Sequence, residues 1–335
     1  MNLKTIAKEA GVSTATVSNV INRNYHKVSQ ETIEKVQKII TENHYMPNAT
    51  ARSLASKKSQ IIGVVVPNVG EEGDFFINPH DAHLLALLEN YIRKQGYYMM
   101  MRCVSKCSEI IPMFSSWNVD GTIFFGTPES EVADILGSME APAVFIDTYA
   151  EDLGIINIGI DDYKGGYLSA TYLLGKGHRD IAFVSPGIAS PGVVQQRYQG
   201  FCNACAEKGI QITPEHVFEV NTLYQDGVIA GQKIAISEHH FTAVAVMADI
   251  VAFGVIEGLR LCGRRVPDDI SVIGFDDLPE CCYSNPKLTT ISQKIEQKAL
   301  LAGECLFKKI HGDTLASADK KIDVEIVERQ SVISL

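Results

Sequence analysis

A chain of 335 residues, 46% of them hydrophobic, is long enough for two or three domains and a sizeable core. Its formal charge of −10 argues against a general binder of polyanions. No apolar leader follows the opening MNLKTIAKEAGV and no stretch reaches membrane-span length, so a cytoplasmic protein with eight reduced cysteines and no membrane partner is expected. The charge is uneven. Residues 1–59 hold nine lysines and arginines against four acids, a surplus of five positive charges, and the remainder carries a surplus of fifteen negative ones. A basic head on an acidic body directs a nucleic acid to one end.

The head reads as helices. Leu3 to Asn22, LKTIAKEAGVSTATVSNVIN, places Ile6, Ala7 and Ala10 at helical spacing and breaks at Gly11. Ser13 can cap a second helix with Val17, Val20 and Ile21 on its apolar face. Two short helices joined by a glycine turn form the helix-turn-helix pattern. The other face of the second helix carries Thr14, Ala15, Thr16, Ser18 and Asn19. Small residues permit close approach to a major groove, and Thr, Ser and Asn can reach bases or phosphates. A third helix is predicted from the cap Ser29 through Ile33, Val36, Ile39 and Ile40 to Asn43.

Next comes HYMPNATARSLASKKSQ, in which Pro47 stops the preceding helix and Asn48 can cap a new one over 49–55. Two turns are unstable alone in water. The segment is either a plain linker or a hinge that folds on DNA and inserts Leu54 into the minor groove.

From Gln60 apolar runs of strand length alternate with helical segments: IIGVVVP, HLLALLENYIRK, YYMMMR, GTIFFG, VADILGSM and AVFID. A second cycle starts near Asp161 with YLSATYLLGKG, IAFVS, RYQGFCNACAEKG, GQKIAIS, AVAVMA, IVAFGVIEGLRLCG and SVIGF. This is the rhythm of parallel, doubly wound sheets. LTTI is expected to lead back to the first lobe with helix LLAGECLFKKI, and KIDVEIVER to return to the second. The predicted domains are a head over 1–46, a hinge over 47–59 and a body over 60–335. Within the body the first lobe takes about 60–160 and 291–318, and the second about 161–290 and 319–335. Strand ends carry Asn68, Asp147, Asp161, Asp162, Ser185, Asp249, Asp276 and Asp277, which together suggest a polar cleft.

The order TIAKEAGVSTATVSNVIN, VSQETIEKV, YMPNATARSLASKKSQIIGVVVP, VDG, IDDYKGGYLSATYLLGKGHRDIAFV, RYQGF, RVPDDISVIGFDD and LTTI resembles the lactose-repressor family of bacterial transcription regulators. The likeness covers nearly the whole chain. It implies an all-α helix-turn-helix head plus a two-lobed α/β body like periplasmic binding proteins. It also implies a homodimer, most often a repressor, on a pseudo-palindromic operator in double-stranded DNA, controlled by a small-molecule effector between the lobes. With no heptad segment after VEIVERQSVISL, a dimer is favoured over a tetramer.

By that resemblance Thr14, Ala15 and Asn19 sit at base-reading positions, Leu54 matches the minor-groove lever, and Arg52 and Ser53 share its helix. Asn19 stands where Arg is common, and Asn pairs with adenine where Arg prefers guanine. Arg197 in RxxGF and Asp276 in GFDD match the principal effector contacts, and Asp162 and Asp249 match acidic positions near the cleft. A guanidinium and a carboxylate suit vicinal hydroxyls. Phe75 or Phe76 and Tyr224 are expected to form an apolar wall. Ala248 replaces the Asn of many sugar-responsive members, and the stretch between Gly96 and Val119, with Pro112 and Trp117, is shorter than usual.

A sugar is the expected effector, with a purine, a nucleoside or a phosphorylated metabolite open. A two-lobed binding protein without a DNA switch is the alternative from another class. An enzyme is not expected, because no phosphate loop, dinucleotide fingerprint, metalloprotease helix or serine elbow is present. No cofactor or metal is expected either: the CxxC at Cys202 and Cys205 lacks a second pair, and the histidines are scattered.

Overall fold

The computed structural model describes residues 2–21, 24–45, 58–67, 74–150, 153–189, 192–315 and 319–335. The chain divides into two compact units, Met1–Ser59 and Gln60–Leu335. In the first, α1 (Leu3–Ala10) ends where Gly11 takes φ 68° and donates its N–H back to Ala7 and Lys8. That left-handed turn is cheap for glycine alone. Then come α2 (Thr14–Ile21) and α3 (Gln30–Glu42), the latter capped by Ser29. Ile6, Ala7, Ala10, Val17, Val20, Ile33, Val36 and Ile39 make one small core. Asn48, Arg52, Ser53 and Leu54, expected in a hinge helix, lie outside the described residues.

The second unit holds two six-stranded sheets. The first contains β1 (Ile61–Pro67), β2 (Tyr98–Val104), β3 (Gly121–Phe125), β4 (Ala143–Ile146) and β5 (Asn157–Ile160). Its helices are α4 (Pro79–Lys94), α5 (Ile111–Trp117) and α6 (Glu129–Ser138). The second sheet contains β6 (Ile181–Ser185), β7 (Val217–Glu219), β8 (Ala243–Val246), β9 (Ser271–Asp276) and β10 (Thr289–Ser292). It is flanked by α7 (Asp162–Gly175), α8 (Val193–Ala206), α9 (Tyr224–Ala235) and α10 (Asp249–Leu261). The chain then adds α11 (Ile295–Ile310), β11 (Asp319–Ile322) and β12 (Glu325–Val327). Strand order is β11-β5-β4-β3-β1-β2 in one sheet and β12-β10-β9-β8-β6-β7 in the other, all parallel except β10 with β12. Burial on both faces explains the unbroken apolar runs of the central strands.

Two expectations are corrected by strand pairing. LTTI does not enter the first lobe: Thr289–Ser292 pair with Ile273–Asp276 in the second sheet. Side chains enforce this, since Thr290 Oγ1 donates to Asp249 Oδ1 at 2.6 Å and Thr289 N–H donates to Ser331 Oγ at 2.9 Å. KIDVEIVER is two strands, one in each sheet. The charged edge strand β11 joins β5, burying Ile322, and only β12 returns to the second lobe. Charged residues suit an exposed edge and hide the strand from a hydrophobicity scan. The short β7, an edge strand of the second sheet, carries no such apolar run and is a further addition.

Helix α11 packs on the first lobe beside α4. In the second lobe α7 crosses α8 at backbone contact: a Cβ at Gly166 would stand 1.8 Å from the Arg197 carbonyl oxygen. That approach sets Asp162 beside Arg197.

Candidate functional site

In the head, the Ser13 hydroxyl accepts the N–H of Thr16 at 3.1 Å, fixing where α2 starts. Val17 and Val20 are buried, which turns Thr14 and Ala15 fully outward and leaves Thr16, Ser18 and Asn19 half-buried at the rim of the same face. All five expected residues therefore lie on one surface of α2. The helix is short, capped and pinned by its core, so the side chains on that surface have a defined direction.

In the body, a cavity of about 220 Å³ opens where the carboxyl ends of both sheets converge. The first lobe lines it with Pro67, Asn78, His80, Asp81, Phe125, Gly126 and Asp147. The second contributes Pro186, Val193, Val194, Arg197, Thr222, Met247, Ala248 and Asp276, and Gln293 follows β10. Arg197 is held from three sides. Its Nε donates to Asp162 Oδ1 at 2.7 Å and Nη1 to the Met247 carbonyl at 3.0 Å, while the guanidinium carbon lies 3.7 Å from the centre of the Phe275 ring. Burial disfavours its charge, but Asp162 and Asp276 outweigh that and hold its pKa above the usual value. Asp162, in the first turn of α7, also accepts the hydroxyl of Tyr149. Burial lifts the Asp162 pKa against the pull of Arg197, and the Tyr149 phenol is pushed up by its own burial and by Asp162.

Asp276 ends β9 with φ 135°, and Asp277 follows at φ 64°. Such conformations are costly for non-glycine residues and cluster at functional sites. Asp276 Oδ1 accepts Gln293 Nε2 at 2.6 Å, and the carbonyl of that amide accepts Lys298 Nζ at 2.9 Å. Lys298, fully buried on α11, bridges both oxygens of Asp147 at 3.0 and 2.9 Å. A lysine within the apolar stripe of Ile295, Ala299, Ala302 and Leu306 is the sequence signal that marks it.

His80 is a second residue that the sequence reading missed, because the predicted helix began at His83. Asn78 caps α4 by accepting the His80 N–H at 3.2 Å, and His80 Nδ1 lies 2.9 Å from Asp81 Oδ1. Burial disfavours the imidazolium, but the Asp81 hydrogen bond and the nearby Asp276 carboxylate raise its pKa overall. Its Nε2 is buried, on a cavity-lining residue, with no hydrogen-bond partner among the described residues. With Nδ1–H donated to the Asp81 carboxylate, this nitrogen accepts in the neutral ring and donates in the imidazolium, so it can meet a group of either kind.

Other expected residues lie elsewhere. Asp249 is wholly buried behind Asp276, accepting Leu278 N–H at 2.9 Å and the Cys281 thiol at 3.1 Å, so it shapes the loop after β9 instead of lining the cavity. Burial first, then the Asp276 charge, drive its pKa above the carboxylate range. Tyr224 starts α9 and lines a separate groove with Phe253, Ile256 and Tyr283, and Thr222 lines the cavity instead. Phe76 is 57% exposed and does not line the cavity. The Phe75 side chain lies outside the described residues.

Residues 2–48 match the model of bacterial regulatory proteins of the lacI family, and residues 170–332 match the periplasmic binding protein-like domain. The chain is similar to the ribose operon repressor of Haemophilus influenzae, at 31% identity over 99% of each chain. It is 32% identical to the transcriptional repressor PurR of Pasteurella multocida, over 99% of this chain and 98% of that one. Among solved structures, a lac repressor dimer bound to operator and an anti-inducer matches with TM-score 0.87 and 25% identity, covering 100% of this chain and 99% of the other. A lacI-family regulator from Enterococcus faecium with bound ribose matches with TM-score 0.71 and 26% identity, over 82% of this chain and 99% of the other. The chain belongs to the lacI family of bacterial regulatory proteins: it is a DNA-binding transcriptional regulator with an effector-binding domain, and not an enzyme.

Proposed function

We propose that the protein is a homodimeric repressor acting in the cytoplasm, switched by a neutral sugar held between Arg197 and Asp276. In this reading Thr14, Ala15, Thr16, Ser18 and Asn19 face the major groove of a pseudo-palindromic operator. Asn48, Arg52, Ser53 and Leu54 form the hinge that enters the minor groove. The observation that carries the effector class is the charge balance of the cavity. The arginine that lines it, Arg197, is already neutralised by Asp162, and the lining carboxylate Asp147 is paired with Lys298 buried behind it, while Asp81 and Asp276 are further carboxylates around His80. A phosphate would meet that surplus of carboxylates unpaired. Hydroxyls satisfy it, accepting from Arg197, donating to Asp276, and pairing in either sense with His80, since a hydroxyl is both donor and acceptor. Phe125 is the one phenyl ring among the described lining residues, half of what a base sandwiched between two rings requires.

The effector acts by binding one arrangement of the lobes more tightly than the other. The test is thermal unfolding with ribose, other neutral pentoses and hexoses, a sugar phosphate and a purine base, followed by calorimetric titration of any that raise Tm. A neutral sugar is expected to bind, with affinity lost in Arg197→Met and Asp276→Asn. Stabilisation by the sugar phosphate or the purine base, with none by neutral sugars, would overturn the effector class. For the DNA side, Leu54→Ala should weaken the operator complex and spare the salt-dependent nonspecific component.

A further inference from the structure

We propose that Asp180, His216 and His239 form a binding site for a late divalent transition ion, of the Zn²⁺ type, on the second lobe. The three come from separate connections. Asp180 immediately precedes β6, His216 immediately precedes β7, and His239 lies between α9 and β8. All three stand at the amino ends of their strands, at the opposite edge of the sheet from the cavity. One donor atom from each lies within 4.8 Å of the other two, and His216 Nε2 is 3.8 Å from Asp180 Oδ1. A tetrahedral ion with bonds of about 2.0–2.1 Å sets its donors roughly 3.3 Å apart, so small side-chain rotations close the shell.

The imidazoles are oriented by structure beneath them. Phe241, 5% exposed, stacks on His239 at 5.4 Å and 23°, and meets His216 edge-on at 5.8 Å and 72°. Thr213 Oγ1 sits 2.9 Å from His216 Nδ1. If Nδ1–H donates to that hydroxyl, the Nε2 lone pair is free for an ion, the outer-shell arrangement that metal-binding histidines use. The weaker 3.3 Å approach of the Thr213 N–H to the same nitrogen is then given up. Thr242 N–H donates to the Asp180 carbonyl at 2.9 Å, which holds Asp180 beside the start of β8. Glu215, with Oε2 3.3 Å from His239 Nε2, offers a further carboxylate, and water completes the shell otherwise. Two imidazoles and a carboxylate favour Zn²⁺, Ni²⁺ or Cu²⁺ over Mg²⁺ or Ca²⁺. The bound ion would clip the edge strand β7 and the α9–β8 connection to β6.

The experiment titrates ZnCl₂ into tag-free, metal-stripped full-length protein by calorimetry, with MgCl₂ as the comparison and Co²⁺ as the optical probe. The expected result is one Zn²⁺ per chain, no saturable Mg²⁺ binding, and Co²⁺ d–d bands without a thiolate charge-transfer band. Affinity should fall about tenfold or more in His216→Gln, His239→Gln and Asp180→Asn. Where a histidine variant fails to fold, Asp180→Asn carries the test, since its side chain is 46% exposed. No saturable Zn²⁺ binding, unchanged affinity in folded variants, or a thiolate band placing the ion on cysteines would each overturn the site.

Discussion

Each lobe pairs a buried cation with a carboxylate at the cavity, Lys298 behind the lining residue Asp147 in the first and the lining residue Arg197 on Asp162 in the second. They are held by different means. In the second lobe the helix pairs touch through main chain: a Cβ at Gly200 would lie 2.0 Å from the Tyr163 carbonyl oxygen, and one at Gly254 would lie 2.1 Å from that of Tyr224. In the first lobe the corresponding close contacts are with side chains. A Cβ at Gly303 would meet the Tyr91 ring at 2.5 Å, and one at Gly63 the Phe114 ring at 2.4 Å. Rings can tilt and carbonyls of a packed helix cannot, so Arg197 rides on a stiff body and Lys298 on a more forgiving one.

The sharpest way to break that contrast is Gly166→Ala. Its new methyl has no route away from the Arg197 carbonyl, so α7 and α8 must separate, at a cost of more than about 4 kcal/mol. Urea unfolding should show a collapsed midpoint or insoluble protein, and a near-normal midpoint would refute backbone-limited packing. Lys298→Met comes second. It leaves the partly exposed Asp147 without its cation and the Gln293 carbonyl without its donor, and about 1–3 kcal/mol should be lost by the same measurement.

A smaller effect separates the lobes by pH. Burial and the Asp276 carboxylate raise the folded pKa of Asp249 to about 7, above the ordinary value of about 3.9, so stability from this group is full below that ordinary value and lost as pH rises through the folded one. Asp249→Asn should flatten the decline between about pH 4 and 7 relative to the parent protein. Parallel melting curves across that range would count against a protonated Asp249. Smallest is Gly303→Ala, where the Tyr91 ring can tilt. A loss of about 1–2 kcal/mol is expected from urea melts, and a loss equal to that of Gly166→Ala would erase the distinction between lobes.

The head was legible because its signals are local. Gly11, Ser13 and Ser29 act within four residues of themselves, and the spacing of Val17 and Val20 settles which face of α2 turns outward. Arg197 and Asp276 were reached through motif resemblance, and both line the cavity. What the sequence hid is long-range. Nothing near Thr289 declares which sheet it joins, since Asp249 and Ser331 decide that from 40 or more positions away. Tyr224 resembled a cleft aromatic, yet the contact of its carbonyl with Gly254 on α10 binds it to a helix pair at another surface. His216 and His239 share no sequence spacing that betrays a common site, because parallel strands bring their preceding loops together in space.

The chain passes between the lobes three times, after Ile160, after Ser292 and after Ile322. Ile160 stands opposite Ile322 in one sheet, and Ser292 opposite Glu325 in the other. The crossings on each side are thus a single strand spacing apart, about 5 Å. Mechanically this is a row of closely set pins. Three tethers in a narrow row resist sliding and stretching and leave rotation about the row as the soft coordinate. Gln293, the residue next to one pin, touches both Lys298 and Asp276, so a molecule that engages Asp276 sits close to the axis and gains leverage only through the contacts it makes farther out on each lobe.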